Sequence, residues 1–215
     1  MRRSCILVTI VALGAGVVAS AQPLTREQAL GALRNRSDVE ARRQGAAWLG
    51  DTGLMADAPL LVEALRDPDE LVRALAEHSL WQVWSRSGDP EVDSLFQVGI
   101  EQMNQGDPEP AIETFSLIIR KRPDFAEGWN KRATLYYLMG EYEKSLADCE
   151  EVIRRNPAHF GALSGFGMIY LQLGKAERAL HYFERALAVN PNLTQVEAAV
   201  EGLKRLLRER SRESI

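Results

Sequence analysis

The sequence predicts an all-α protein built as a helical-repeat solenoid, and two periods in it predict this. Gly106, Gly140 and Gly174 stand 34 residues apart, as do Pro123, Pro157 and Pro191, Phe115, Cys149 and Phe183, and Ala111, Ser145 and Ala179. A shorter period of 31 precedes it, in which Ala41-Arg42, Gly45 and Leu49 return as Val72-Arg73, Ala76 and Leu80. A fixed repeat of this size marks units that cannot bury their apolar faces alone and do so by stacking. With 46% hydrophobic and 26% charged residues, the 215-residue chain can supply such a continuous spine.

The elements follow in order. Residues 1–21 read as a signal peptide: Met1-Arg2-Arg3 is basic, Ile6 to Val18 is an apolar stretch of 13 residues, and Ala19-Ser20-Ala21 offers small residues for cleavage. The stretch falls short of the ~20 residues a membrane-spanning helix needs. Cleavage after Ala21 removes Arg2, Arg3 and Cys5, leaving a charge of −6 in place of −4 and Cys149 as the single cysteine. No internal disulfide is then possible in an oxidising compartment. The predicted location is periplasmic or secreted.

Residues 24–90 hold the 31-residue period. Thr25 and Gln28 form a candidate capping box for the opening helix, and Pro59 suits the first turn of a helix faced by Leu60, Leu61, Ala64 and Leu65. Trp81 and Trp84, three residues apart on an apolar helix, read as core at a module boundary rather than as a sugar platform. Asp89 and Pro90 are placed to cap and open the next helix, and with no flexible linker the two parts are expected to stack as one solenoid.

The 34-residue units are 92–125, 126–159 and 160–193. In each, a glycine ends the first helix and a proline stops the second. Small residues at Gly99, Ala133 and Gly167 let the second helix approach, answered by Ala111, Ser145 and Ala179. Asp124 with Glu127, and Thr194 with Glu197, read as capping boxes. Residues 194–215 form a capping helix and tail, apolar at Val196, Ala199, Val200, Leu203, Leu206 and Leu207 and basic elsewhere.

Leu163, Phe166-Gly167, Tyr170, Ala179, Phe183, Ala186 and Pro191 in the third unit, with Trp129, Ala133, Tyr136, Ser145, Cys149, Val152 and Pro157 in the second, carry a known pattern. It resembles the tetratricopeptide repeat. The V-R-x2-A-x3-L pattern of residues 24–90 resembles short HEAT-like repeats. The first resemblance implies a right-handed α-α superhelix whose first helices line a concave groove for a peptide. Its groove positions fall on Phe96, Ile100 and Met103, on Asn130, Thr134 and Tyr137, and on Gly161, Ser164, Met168 and Leu171. The subclass that clamps a partner's terminal carboxylates uses basic residues and asparagine where this chain has Phe96, Ile100, Gly161 and Gly165. A carboxylate clamp for cytosolic chaperone tails is therefore not expected, in agreement with export.

No catalytic constellation is expected, nor a metal or cofactor. The histidines are His78, His159 and His181, too dispersed in sequence to predict a ligand set. No basic run with interleaved aromatics points to nucleic acid. Cys149 takes a buried position that phenylalanine fills in the sister units. Two positions break the local rules: Arg132 stands where an apolar residue belongs, for which an ion pair, with Glu101 as candidate, is expected. Helix 160–172 carries Gly161, Gly165 and Gly167, which serve either an open groove or close helix packing. The function expected is that of an exported, monomeric adaptor binding a protein or peptide. The alternative is an envelope assembly factor or chaperone-like subunit, held at a membrane only if residues 1–21 stay attached.

Overall fold

The computed structural model describes residues 24–213, all helices and turns; the predicted signal segment, residues 1–21, lies outside them. Eleven α-helices are described: α1 Arg26–Leu33, α2 Val39–Thr52, α3 Ala58–Ala64, α4 Glu70–Trp84, α5 Pro90–Gln105, α6 Pro108–Lys121, α7 Ala126–Leu138, α8 Tyr142–Arg155, α9 Phe160–Gln172, α10 Ala176–Val189 and α11 Thr194–Glu213. A short 3-10 turn, Met55–Asp57, leads into α3.

Local chemistry sets the helix ends. Thr25 and Gln28 close a capping box on α1, and Asp38, Asp69 and Asp89 each accept first-turn amides of α2, α4 and α5. Gly106, Gly140 and Gly174 adopt φ of 81°, 75° and 68°, the left-handed turn between the two helices of each 34-residue unit. The Asp124/Glu127 capping box does not form. Phe125 caps α7 without a side-chain bond, Asp124 pairs with Arg122, and Glu127 turns inward.

Helices α5 to α10 pack pairwise in chain order, and α11 closes the array against α10. The close approach inside each pair is visible at the small residues. A Cβ on Gly99 would stand 2.7 Å from the Phe115 ring, and one on Gly167 would overlap Phe183. Val200 and Leu203 of α11 bury the open end of the last unit.

Helices α1–α4 do not stack on the start of the array; they fold back along its edge. Their core, centred on Leu49, Leu61, Leu65, Val72 and Leu80, takes in Phe160 and packs against Val189 and Leu193. Three array turns are met in reverse order. Near the last turn, the Arg66 guanidinium donates to the Val189 and Ala188 carbonyls, Arg73 Nε to Asn192 Oδ1 at 3.0 Å, and Asn190 Nδ2 to Glu77 Oε2 at 3.0 Å. At the middle turn, the Trp84 ring stacks on His159, with centroids 4.6 Å apart, and Trp81 meets Phe160 edge to face at 5.2 Å. At the first turn, Trp84 and Arg86 line a cleft with Arg122 and Phe125. The 15 residues of α4 span about 22 Å, enough to bridge successive turns. The physical reason is the turns themselves, which expose apolar residues and helix-end carbonyls that α5 cannot reach.

Within the first unit, Arg42 joins the turns. Its guanidinium forks onto Asp67 at 2.7 and 3.0 Å and donates to the Asn35 and Arg36 carbonyls.

The glycines of α9 separate by what surrounds them. Gly167→Ala is expected to lower stability by about 1–3 kcal/mol through overlap with Phe183. Gly165→Ala meets only Cys149 Sγ at 3.6 Å and should be neutral or stabilising by up to about 1 kcal/mol. Urea unfolding of the two variants checks both.

Candidate functional site

The first helices of the second and third pairs, α7 and α9, pack directly on one another. Between them lies a cleft of about 170 Å³, lined by Asn130, Thr134, Tyr137, Gly161 and Met168, with Ala133, Ser145 and Cys149 at its base. Side-chain size explains why it opens here. Phe115 and Phe183 fill the equivalent space in the flanking units, and the middle unit has the smaller Cys149. Gly165 adds no side chain above the thiol. Burial holds the Cys149 thiol un-ionised, its pKa pushed up to about 12, so the base of the cleft is neutral.

Five of the ten groove residues expected from sequence therefore meet in one cleft. Met168 and Leu171 are exposed, at 42% and 37%, and continue the apolar surface along α9. Ser164 turns its hydroxyl to the Phe160 carbonyl. The three positions on α5 do not join them. Phe96 is 2% exposed and packs between Phe115 and Phe125, and Ile100 and Met103 lie half-buried against the same cluster. Gly161 borders the cleft and also packs closely on α4, since a Cβ there would stand 2.5 Å from Trp81 Cη2. Close packing therefore explains Gly161 and Gly167, and the open cleft explains Gly165.

Beneath the end of this cleft runs a buried polar chain that sequence reasoning missed. Glu127 and His159 are both fully buried, with Oε1 2.6 Å from Nε2. The Ala162 amide donates to His159 Nδ1 at 3.0 Å and caps α9, so the imidazole proton sits on Nε2 and points at the carboxylate. Asn130 Nδ2 donates to the second oxygen, Oε2, at 3.0 Å, and Lys131 Nζ stands 3.7 Å from it. Burial pushes the Glu127 pKa up; His159, Lys131 and Asn130 outweigh that and hold it below the ordinary carboxylate value. The signal was present as Glu127 and His159 near opposite ends of one 34-residue unit, but their meeting depends on the stacking of α7 and α9.

Arg132 forms an ion pair, with Asp148 rather than Glu101. It forks onto that carboxylate at 2.7 and 2.8 Å and reaches Ser116 Oγ at 2.9 Å. The pair ties α7 to α8, and the bond to Ser116 ties it to α6.

Comparison with known proteins decides the architecture. The tetratricopeptide repeat profile matches residues 124–192. Residues 124–192 carry tetratricopeptide repeats. A TPR repeat-containing protein of Rhizobium etli is 36% identical over 126 residues, which are 59% of this chain and 61% of that one. This chain thus spans about three fifths of that relative's length. The TPR domain of Sgt2 from Aspergillus fumigatus is similar in structure, with a TM-score of 0.54 at 23% identity, covering 58% of this chain and 83% of that domain. The first TPR of Spaghetti (RPAP3), solved bound to the HSP90 peptide SRMEEVD, superposes with a TM-score of 0.52 at 22% identity, over 54% of this chain and 93% of that one. These likenesses fix the fold of the tetratricopeptide array.

Two outcomes follow from the buried groups of this array. Native protein at pH 8 should be alkylated at Cys149 by iodoacetamide at least about a hundredfold more slowly than protein in urea, as followed by mass spectrometry. Glu127→Gln should destabilise by about 2–4 kcal/mol at neutral pH, the cost of disturbing a buried charged hydrogen-bond network. Because the folded-state pKa of Glu127 is depressed, the stability it contributes is complete above its unfolded value and is lost as pH falls through the folded one. The gap between the urea midpoints of the two proteins should therefore be full above pH ~5 and narrow in more acidic solution. A gap unchanged at pH 3 would show that ionisation of Glu127 is not its source.

Proposed function

We propose that the protein is an exported adaptor that holds a peptide segment of a protein partner on the inner face of its tetratricopeptide array, the α7–α9 cleft taking an apolar side chain. The observation that carries this is the cleft itself. It is neutral and walled by Thr134, Tyr137 and Met168, and the exposed Met168 and Leu171 extend it along α9. An apolar pocket with a few polar groups at its rim suits an anchor residue of an extended ligand. The peptide seated on the Spaghetti domain supports an array of this fold as a peptide receptor. Export rests on the basic start, apolar stretch and small residues of positions 1–21. The α1–α4 unit, read as a HEAT-like pair, braces the array rather than extending the groove.

The test is affinity capture on the chain lacking residues 1–21, from an envelope extract of the source organism, with Tyr137→Ala/Met168→Ala as control. One dominant protein is expected on the unaltered chain and about a tenfold loss or more on the double variant. The melting temperature should fall by only a few degrees, since Met168 is 42% exposed and Tyr137 is half-buried. Equal capture by both proteins would reject the cleft as the receptor, and N-terminal sequencing of the protein from cells checks cleavage after Ala21.

A further inference from the structure

A second cleft lies on the turn edge of the array, apart from the α7–α9 groove. It has a volume of about 270 Å³ and forms where the end of α4 meets the turns at Arg122–Ala126 and Arg155–Asn156. Two buried side-chain donors among its lining residues, Trp84 Nε1 and Asn156 Nδ2, meet no acceptor among the described residues. Their residues are 3% and 6% exposed. A buried N–H without a partner is costly, and two from separate elements at one cleft point to an acceptor brought from outside.

The chain itself shows which acceptor suits this register. Asn190 stands 34 residues after Asn156, at the equivalent turn, and its Nδ2 donates to the Glu77 carboxylate at 3.0 Å. Among the described residues no such carboxylate answers Asn156. The local charge agrees. Arg122 is balanced by Asp124 and Arg155 by Glu151, whereas Arg86 bonds only the Gly50 and Gly53 carbonyls, both at 2.7 Å, and has no acidic partner among the described residues. The N-terminus of α7, uncapped by any side chain, opens on the same cleft.

We propose that this cleft binds a carboxylate group, with Trp84 Nε1 and Asn156 Nδ2 donating to its oxygens and Arg86 supplying the balancing charge. Stacking on His159 holds the Trp84 indole in place before the ligand arrives. The carboxylate belongs either to a free small acid or to the end of a peptide chain, and both present the same acceptors. The site shares no lining residue with the α7–α9 cleft, so it stands or falls independently of the groove.

The test is titration of the 15N-labelled full chain, following the Trp84 indole N–H resonance assigned through Trp84→Phe. The probes are sodium acetate, N-acetyl-dialanine and N-acetyl-dialanine amide, at ionic strength held constant with sodium chloride. A saturable shift with either acid and none with the amide is expected. Saturation by acetate assigns a free acid, and saturation by the peptide acid alone assigns a chain end. Asn156→Leu should weaken that binding about tenfold or more, while Trp84→Phe, which keeps an aromatic ring but loses the N–H, should weaken it without unfolding the protein, as followed on the backbone amide of Ala126. Absence of a saturable shift with both acids, or an equal shift with the amide, overturns the proposal. So does tighter saturation in a parallel titration with inorganic phosphate as a fourth probe, which would assign the cleft to another class of anion.

Discussion

The packing of α4 across the array turns is the contact on which the rest of this structure depends. A repeat array exposes, at every turn, the last carbonyls of one helix and the first amides of the next, together with whatever apolar residue begins the following pair. Here those groups are answered from α4 and the turn before it. Arg66 takes carbonyls at the end of α10, Arg73 and Glu77 take Asn192 and Asn190, and the tryptophans cover His159 and Phe160. The first four helices thereby act as a brace, which makes the relative placement of α7, α9 and α11 a property of the whole chain rather than of neighbouring repeats alone.

The same contact explains how a carboxylate survives at full burial. Glu127 is stabilised by His159, Asn130 and Lys131, and His159 is in turn fixed by the Ala162 amide on one edge and by the Trp84 face. Each member limits the freedom of the next, as a satisfied buried network does. Removing the brace would admit water to the imidazole and loosen the first turn of α9, which borders the cleft. The link from α4 to the groove thus runs through contacts visible residue by residue.

Much of this was legible in the sequence, and what was not has identifiable causes. The 34-residue spacing of glycine and proline places every helix of the array, because those residues act through local backbone geometry. The 31-residue period likewise locates α2 and α4. Fold-back of α1–α4 was not legible, since it depends on complementarity between Trp81, Trp84 and turns more than 70 residues away. Phe96 was placed in the groove by register, yet its ring fills the space between Phe115 and Phe125, where apolar burial outweighs the usual exposure of that position. Arg132 was legible as an ion-pair member, but only packing selects Asp148 over Glu101.

The α7–α9 cleft was readable in a way that periodicity alone conceals. A repeat profile treats Cys149 as a tolerated substitute for phenylalanine, because both are buried and apolar. The consequence of the substitution is volume: beside it, Gly165 has no side chain where the sister units carry Gln97 and Lys131, so two elements withdraw side-chain mass from one place. Phe115 and Phe183 mark what the space would hold if the units were identical. The inner face is consequently filled at α5, where Phe96 closes it, bounded beside Gly161 by Trp81, and open from there to Leu171. A ligand on this face meets one recess and an apolar strip along α9 rather than a groove of uniform depth, which favours recognition of a single anchoring side chain over the reading of an extended sequence.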